Sequence, residues 1–227
     1  MQAGLEISAA SAVLIEPVTG RVLFEKNKDE RRSMASTTKI MTALLAAESG
    51  RLEEPFTVTS QMINVEGTSM GLKSGDQVTL SALVYGMMLA SGNDAANAAA
   101  VFLGGTQSGF AKLMNARARE IGMTGTNFVT PSGLDDDEHY TTAHDMALLA
   151  AEAMKNPVFL KAASSLSAQV QIGNPPIKRT YSNHNRLLRE YKGANGVKTG
   201  FTKKSGRCLV SSAERDGISL IAVTLHA

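Results

Sequence analysis

Apolar residues alternate with polar ones near both ends of the chain and recur every three or four residues between them. The alternating stretches, which predict β-strands, are residues 9–15, 21–25, 168–172, 196–202, 207–213 and 218–225. The stretches with helical spacing are residues 37–49, 81–89, 94–103, 110–121 and 142–155. We expect Pro157 to end the last of these helices.

Strands at both ends and helices between them predict an α+β fold. We expect one antiparallel sheet built from the N- and C-terminal strands, with a helical lobe inserted into it. Residues 1–227 would form a single domain, with a sheet lobe of about residues 1–60 and 165–227 and a helical lobe of about residues 61–164. A binding site would lie in the groove between the sheet edge and the helices.

Composition and charge exclude several classes of protein. The chain is 43% hydrophobic and 19% charged, which suits a packed core, and no apolar run approaches the roughly 18 residues of a membrane span. Residues 178–207 carry nine basic side chains and one acidic one, which is either a solvated face or a surface that attracts an anionic substrate. Nucleic acid is not an expected partner, because this segment lacks interleaved aromatic residues and the chain has no tryptophan. Cys208, the single cysteine, is expected to be a small buried side chain in a strand.

Three short motifs each occur once in the chain. They supply a hydroxyl nucleophile, a lysine base, a second hydroxyl with an amide, and a cationic strand edge, which serine acyl transfer without histidine requires. In chain order they are the serine motif Ser36-Thr37-Thr38-Lys39, the second motif Ser91-Gly92-Asn93 and the strand motif Lys198-Thr199-Gly200.

The serine motif lies at the start of the helix predicted over residues 37–49. Ser36 and Lys39 would share one face of its first turn, beside free backbone N–H groups. A lysine buried there near a second cation, Lys198, would be neutral enough to accept the serine proton. Read alone, the motif is a serine helix cap with a solvated lysine.

The second motif is predicted to lie on a connection between two helices. Ser91 could relay a proton to a leaving amine, and the Asn93 amide could hold a peptide carbonyl while ordering Lys39. Read alone, it is an ordinary polar turn between helices.

The strand motif would line a sheet edge. Lys198 and Thr199 would attract a carboxylate, and Gly200 would leave room for a substrate backbone along the strand. The N–H of Phe201 could pair with that of Ser36 as an oxyanion hole. Read alone, the motif is a polar edge strand protected by lysine.

With these motifs the chain resembles the serine D-alanyl-D-alanine carboxypeptidases, the low-molecular-mass penicillin-binding proteins, over nearly its full length. Five further stretches carry the resemblance: Leu72-Lys-Ser-Gly75, Ser91-Gly-Asn-Asp-Ala-Ala96, Asn127-Phe-Val-Thr-Pro-Ser-Gly-Leu134, His139-Tyr-Thr-Thr-Ala-His-Asp145 and Gly196-Val-Lys-Thr-Gly-Phe-Thr202.

The resemblance implies an α/β sandwich of the penicillin-binding and β-lactamase-like type and assigns roles to the motif residues. Ser36 would be the acylated nucleophile and Lys39 its base. Ser91 and Asn93 would form the second motif, and Lys198 with Thr199 the carboxylate-binding strand, to which Gly200, Phe201 and Thr202 belong.

The resemblance also implies a substrate and a location. The enzyme would remove the terminal D-alanine from peptidoglycan stem pentapeptides, would be acylated by β-lactams, and would need neither a metal ion nor an organic cofactor. It would act outside the cytoplasm, in the bacterial cell envelope.

Family features that come after the last core strand do not occur within these residues. They are a helix, a carboxylate-binding arginine found in some members, a β-rich domain and a membrane anchor. We expect the natural chain to be longer and any membrane association to depend on segments outside this one. If the last strand were the end, Thr199 and Thr202 would carry more of the carboxylate recognition.

Three alternatives differ in chemistry. A class A β-lactamase needs a deacylating Glu-x-x-x-Asn pair between the second and strand motifs, and the acidic run at residues 135–138 has no asparagine four residues on, so we expect none. A metal enzyme could use His139 and the acidic run, but His139 and His144 are five residues apart rather than four. A non-catalytic wall-binding protein of the same fold would be expected to lack one motif.

Overall fold

The computed structural model describes residues 6–227, which contain nine β-strands. Their bounds are Ser11–Ile15 (β1), Val22–Lys26 (β2), Phe56–Thr57 (β3), Gln77–Val78 (β4), Ser167–Ile172 (β5), Ile177–Ser182 (β6), Ala194–Thr202 (β7), Gly206–Arg215 (β8) and Ile218–Leu225 (β9). Five strands form one antiparallel sheet in the order β2-β1-β9-β8-β7, and the others form the pairs β3–β4 and β5–β6. Strands from both ends of the chain meet in one sheet, which confirms the predicted α+β fold.

The helices lie between the outer strands, as expected for an inserted helical region. Their bounds are Lys39–Glu48 (α1), Ser60–Ile63 (α2), Leu80–Met88 (α3), Asn93–Gly104 (α4), Gln107–Ile121 (α5), Ala143–Ala153 (α6), Pro157–Ser164 (α7) and Leu187–Glu190 (α8). The side chains of Thr79, Thr106 and Thr142 accept backbone N–H groups and so begin α3, α5 and α6. None of the helices in residues 6–227 is long and apolar enough to cross a membrane.

Pro157 begins a helix that the sequence analysis missed. It occupies the first turn of α7, where a missing N–H costs nothing, and Asn156 Oδ1 accepts the N–H groups of Val158 and Phe159 at 3.0 and 3.2 Å. The same proline therefore comes after the end of α6 and opens α7.

The strand predicted at residues 168–172 does not join the main sheet. It is β5, and it pairs with β6, a charged strand of alternating exposure that the apolar pattern did not indicate. Tyr181 and Arg179 on β6 donate hydrogen bonds to the carbonyls of Met70 and Gly71, at 2.7 and 2.8 Å. This hairpin therefore lies against the segment between β3 and β4, within the stretch expected to be largely helical. The division into lobes at about residues 61 and 164 stays a prediction.

Helix α1 runs through the centre of the core. Ile40, Met41, Ala43 and Leu44 are fully buried on it, so α1 is apolar around most of its circumference. Alanines at positions 95, 96 and 98–100 of α4 are also fully buried, and their small side chains let the helices approach closely. The core thus surrounds the first residue of α1, Lys39.

Candidate active site

Ser36 lies on a tight turn that leads into α1. Residues Ala35–Thr38 form one turn of 3₁₀-helix, and Ala35 adopts a left-handed backbone with φ of 47°. The hydroxyls of Thr37 and Thr38 donate back to the carbonyls of Met34 and Ala35, at 2.6 and 2.8 Å. The helix starts two residues later than predicted, yet Ser36 and Lys39 still share one face.

Lys39 is fully buried and contacts three oxygen atoms. Its Nζ lies 2.9 Å from Ser36 Oγ, 2.7 Å from Asn93 Oδ1 and 2.6 Å from the carbonyl oxygen of Ser132. Burial, followed by the charge of Lys198, holds the pKa of Lys39 well below its usual value, and the Asp94 carboxylate opposes them. The neutral amine has two N–H groups and one lone pair. In that neutral form the Asn93 amide oxygen and the Ser132 carbonyl would accept both N–H groups, which leaves the lone pair for the Ser36 hydroxyl.

The second motif lies directly across from Lys39. Ser91 lies on the connection between α3 and α4, as predicted, and has a φ of 57°. Asn93, in contrast, is the first residue of α4 rather than part of the connection. Its amide donates to the carbonyl of Glu66 at 2.7 Å while its oxygen accepts from Lys39. The Asn93 amide is therefore held at both ends, which fixes the direction of its oxygen.

Lys198 connects the strand motif to the second motif. Its Nζ donates to Ser91 Oγ at 3.1 Å and to the carbonyl of Thr199 at 2.9 Å, and the residue is 1% exposed. Burial lowers the pKa of Lys198 to about 7. Each motif serine thus contacts one buried lysine, Ser36 with Lys39 and Ser91 with Lys198, and no buried carboxylate in residues 6–227 is bonded to either lysine.

Gly200 makes a close contact with the serine turn. A methyl group added at Gly200 would lie 3.0 Å from the Ser36 nitrogen, 3.1 Å from the Thr37 nitrogen and 3.1 Å from Ala35 Cβ. The expected role of this glycine is to leave room for a substrate backbone. The structure gives another reason, because the serine turn itself approaches the strand here.

Phe201 and Thr202 differ in their exposure and bonding. Phe201 is 65% exposed at the rim of the groove. The Thr202 hydroxyl lies 2.9 Å from Asp135 Oδ1, to which it donates, and accepts the N–H of Ser205 at 2.9 Å. The Thr202 hydroxyl is therefore already hydrogen-bonded to the Asp135 carboxylate of the protein itself. Thr199, whose hydroxyl has no partner among the described residues, is the better placed of the two threonines to receive a ligand carboxylate.

A groove of about 790 Å³ lies along these motifs. Its lining includes Ser36, Ser91, Asn93, Thr199, Gly200, Phe201 and Thr202, while Lys39 and Lys198 are buried beneath it. The structure therefore brings every predicted site residue to one groove between the sheet edge and the helices.

The carbonyl of Ser132 is a site group that sequence reasoning missed. It belongs to Asn127-Phe-Val-Thr-Pro-Ser-Gly-Leu134, a stretch that carries the family resemblance but to which no site role was assigned. Gly133 has φ of +85°, and a methyl group there would lie 1.9 Å from the Ala35 carbonyl oxygen. Only glycine lets this turn approach the serine turn closely enough to place the Ser132 carbonyl on Lys39.

His139 is hydrogen-bonded both to this turn and to the serine turn. Its Nδ1 accepts the N–H groups of Val129 and Thr130 at 2.9 and 3.3 Å, so Nε2 carries the proton and donates to Thr38 Oγ1 at 2.8 Å. Burial lowers the pKa of His139 to about 4. Both ring nitrogens are used in protein hydrogen bonds, and residues 6–227 hold no cluster of three or more His, Cys, Asp or Glu side chains arranged for a metal ion.

The expectation that a Glu-x-x-x-Asn pair is absent was wrong for the sequence, since Glu152 and Asn156 have this spacing. In the structure Glu152 accepts hydrogen bonds from Arg117 and Lys155 at 2.8 and 2.9 Å. Asn156 caps α7, and neither residue lines the groove. The pair is a surface feature, and it could not position a water at Ser36.

The geometry of the groove is typical of proteins that use a serine–lysine pair, rather than serine and histidine, for acyl transfer. A model of the D-alanyl-D-alanine carboxypeptidase family, peptidase S11, matches residues 1–227, and the chain belongs to this family.

Similar proteins include enzymes named for two related reactions. The chain is 38% identical over 224 residues to D-alanyl-D-alanine carboxypeptidase DacF of Bacillus subtilis, covering 96% of this chain and 57% of DacF. The solved D-alanyl-D-alanine carboxypeptidase of Mycobacterium tuberculosis has a TM-score of 0.93 at 31% identity, covering 100% of this chain and 86% of that one. A mutant of a Streptomyces DD-transpeptidase also has a TM-score of 0.93, at 31% identity, covering 98% and 92%. The chain spans little more than half the length of DacF.

Proposed function

We propose that this protein is a serine-type D,D-carboxypeptidase that removes the terminal D-alanine from peptidoglycan stem pentapeptides. The observation that carries the proposal is the contact set of Lys39. Its Nζ lies 2.9 Å from Ser36 Oγ and also contacts Asn93 Oδ1 and the Ser132 carbonyl, so in the neutral amine these two oxygens would accept the N–H groups and leave the lone pair for Ser36. A neutral lysine in this position is a general base for a serine nucleophile.

In the acylation step Ser36 Oγ attacks the carbonyl carbon of the penultimate D-alanine and its proton passes to Lys39. The N–H groups of Ser36 and Phe201 would stabilise the oxyanion. The peptide C–N bond breaks, the Ser36 ester forms, and the departing amine takes a proton relayed by Ser91. Support for the relay comes from the hydrogen bond between Ser91 Oγ and Lys198 Nζ.

In the deacylation step a water molecule attacks the ester, which releases the shortened peptide and restores the Ser36 hydroxyl. Before acylation, Lys198 and Thr199 would bind the carboxylate of the terminal D-alanine, which leaves with that residue when the peptide bond breaks; the two residues are adjacent on β7. The proposed steps need no metal ion and no organic cofactor.

The partners of the groove would be stem peptides ending in D-Ala-D-Ala and, as inhibitors, β-lactams, which present a similar carbonyl and carboxylate. Such substrates lie outside the cytoplasm, so we place the protein in the bacterial cell envelope. Attachment to the membrane would depend on segments outside residues 1–227.

Intact-mass measurement after incubation with benzylpenicillin tests the proposed nucleophile. We expect one penicilloyl adduct on the wild type and none on Ser36→Ala. An adduct that persists in Ser36→Ala, or no adduct on the wild type, would refute the assignment.

Incubation with a diacylated Lys-D-Ala-D-Ala peptide tests the reaction class. Release of free D-alanine supports the carboxypeptidase. Transfer of the acyl group to an added amine in preference to water would instead favour a transpeptidase. Rapid hydrolysis of penicillin would favour a β-lactamase.

A further inference from the structure

Asp94 is a buried carboxylate at the start of α4, next to Asn93 in sequence. It is 2% exposed, and its two oxygens accept five hydrogen bonds. The donors are the N–H groups of Met70 (2.9 Å), Gly71 (3.0 Å), Leu72 (3.0 Å) and Ala95 (2.9 Å), and the hydroxyl of Ser69 (2.6 Å). No lysine or arginine in residues 6–227 lies within ion-pair distance of it. Its charge is stabilised by N–H and O–H donors and by the helix N-terminus.

Four of these five donors belong to one stretch of chain, residues 66–72, which we call the clamp segment. The opposite end of the clamp segment contacts the second motif. Glu66 O accepts from Asn93 Nδ2 and Thr68 O accepts from the Asn93 backbone N–H, both at 2.7 Å. The Thr68 hydroxyl donates to the carbonyl of Ser91 at 2.5 Å. The clamp segment is therefore bonded to Asp94 at one end and to Asn93 and Ser91 at the other.

Two further contacts show how closely the clamp segment fits. A methyl group added at Gly67 would lie 2.8 Å from Asn93 Nδ2, so there is no free space between them. On the outer side, Tyr181 and Arg179 donate to the carbonyls of Met70 and Gly71. Met70 and Gly71 thus donate their N–H groups to Asp94, and their carbonyls accept hydrogen bonds from the β5–β6 hairpin.

We propose that Asp94 is a positioning residue for acylation, because it holds the clamp segment where its carbonyls fix the Asn93 amide, which in turn fixes Lys39. This inference rests on the proposed function of Ser36 and Lys39. Without the Asp94 acceptor the four clamp-segment donors would lose their common partner, and the Asn93 amide could rotate away from Lys39.

A second effect of Asp94 is electrostatic. The charged and titratable groups that face Lys39 are Lys198 from β7 and Asp94 from α4, and neutral His139 lies behind the serine turn. The negative charge of Asp94 favours the protonated form of Lys39 and opposes Lys198. Removing it would lower the pKa of Lys39 further, so the acidic limb of the acylation profile would move to lower pH.

The test is the second-order rate of acylation by a fluorescent penicillin, measured across pH for wild type and Asp94→Asn. We expect the plateau rate to fall by about 10- to 100-fold, the cost of a misplaced catalytic group, and the acidic limb to move by about one pH unit towards acid. A purely structural role would lower the rate without moving the limb.

Asp145→Asn is the matched control. Asp145 is also a buried carboxylate in the first turn of a helix, α6, and accepts from the N–H of Gly125 and the hydroxyl of Thr126, away from the groove. We expect comparable destabilisation with an unchanged acylation profile. If Asp94→Asn is acylated with the wild-type rate and profile, the inference is overturned while the proposed function stands. A wild type that is not acylated removes the proposed function itself.

Should Asp94→Asn fail to fold, Ser69→Ala removes one donor from an exposed position of the clamp segment. We expect this variant to fold normally and to be acylated about two- to fivefold more slowly, since one of five hydrogen bonds to the carboxylate is lost. Acylation at the wild-type rate in the folded Ser69→Ala protein would contradict the inference.

Discussion

Gly200 and Ser36 lie so close together that a single methyl group on the glycine would stand 3.0 Å from the serine nitrogen. In Gly200→Ala the serine turn has to move away from β7, which displaces the Ser36 N–H from the proposed oxyanion site. We expect acylation by penicillin to slow by about 10- to 100-fold, with only a small loss in the free energy of unfolding.

Gly196→Ala is the control on the same strand. A methyl group there meets Ala163 and Met154 at an ordinary 3.5 Å, and Gly196 does not line the groove. We expect its acylation rate to match the wild type. Equal rates for the Gly200 and Gly196 variants would mean that the contact with Ser36 does not govern acylation.

Removing the cation beside Lys39 should change the pH dependence of acylation. Lys198 lowers the pKa of Lys39, so Lys198→Ala lets that pKa rise and leaves more of Lys39 protonated at neutral pH. We expect the acidic limb of the rate profile to move to higher pH by about one unit or more, in addition to weaker carboxylate binding. Lys203→Ala, which removes an exposed lysine from the same region, should leave the limb in place. A limb that stays fixed in Lys198→Ala would show that Lys39 is not the titrating base.

His139 should make the free energy of unfolding depend on pH. Its pKa is about 4 in the folded protein against an ordinary 6.5, so the unfolded chain binds the proton more readily. The stability contributed by neutral His139 is complete above pH 6.5 and is lost as the pH falls towards 4. The loss amounts to roughly 3 kcal/mol.

Urea titration of wild type and His139→Gln at several pH values isolates this contribution. The variant should be less stable at neutral pH, and the difference between the two proteins should shrink as the pH approaches 4. A difference that is constant across this range would show that His139 does not titrate as its burial requires.

Replacing Glu152 tests whether this residue catalyses deacylation, as the glutamate of a class A β-lactamase does. Because Glu152 is bonded to Arg117 and Lys155 outside the groove, Glu152→Gln should leave both the formation and the lifetime of the penicilloyl adduct unchanged. Loss of these partly exposed ion pairs should cost no more than about 1 kcal/mol of stability. An adduct that survives markedly longer in Glu152→Gln would show that this residue takes part in deacylation.

Side chains with their own chemistry could be predicted from the sequence, whereas groups placed by backbone geometry could not. The spacing of Ser36 and Lys39 predicted their contact because a helical turn brings such residues together. Nothing in a sequence marks the carbonyl of Ser132 as a lysine partner, since every residue has a carbonyl. It becomes a site group only because the backbone at Gly133 turns against the serine motif.

Two secondary-structure elements, strand β6 and helix α7, were missed for a related reason. Apolar alternation indicated the five strands of the main sheet. Four of them, β1, β7, β8 and β9, carry buried residues, and β2 has Val22 and Phe24 partly buried on one face. Strand β6 carries mostly exposed polar side chains, and its pairing with β5 depends on hydrogen bonds that any sequence can make. Whether Pro157 ends one helix or begins another is decided by its neighbours, namely the Asn156 cap and the apolar turn of α7.

The pairing of β1 with β9 has a consequence for how the protein becomes active as it is made. Val13 lies opposite Val223, so about 200 residues must be synthesised before the first strand finds its partner. A nascent chain that has reached Gly200 already contains all three motifs. It still lacks β8 and β9, through which β7 and Lys198 are attached to the rest of the sheet. Covalent labelling of Ser36 by a fluorescent penicillin should therefore begin only when β9 has paired with β1 and β8, and would measure when this sheet is complete.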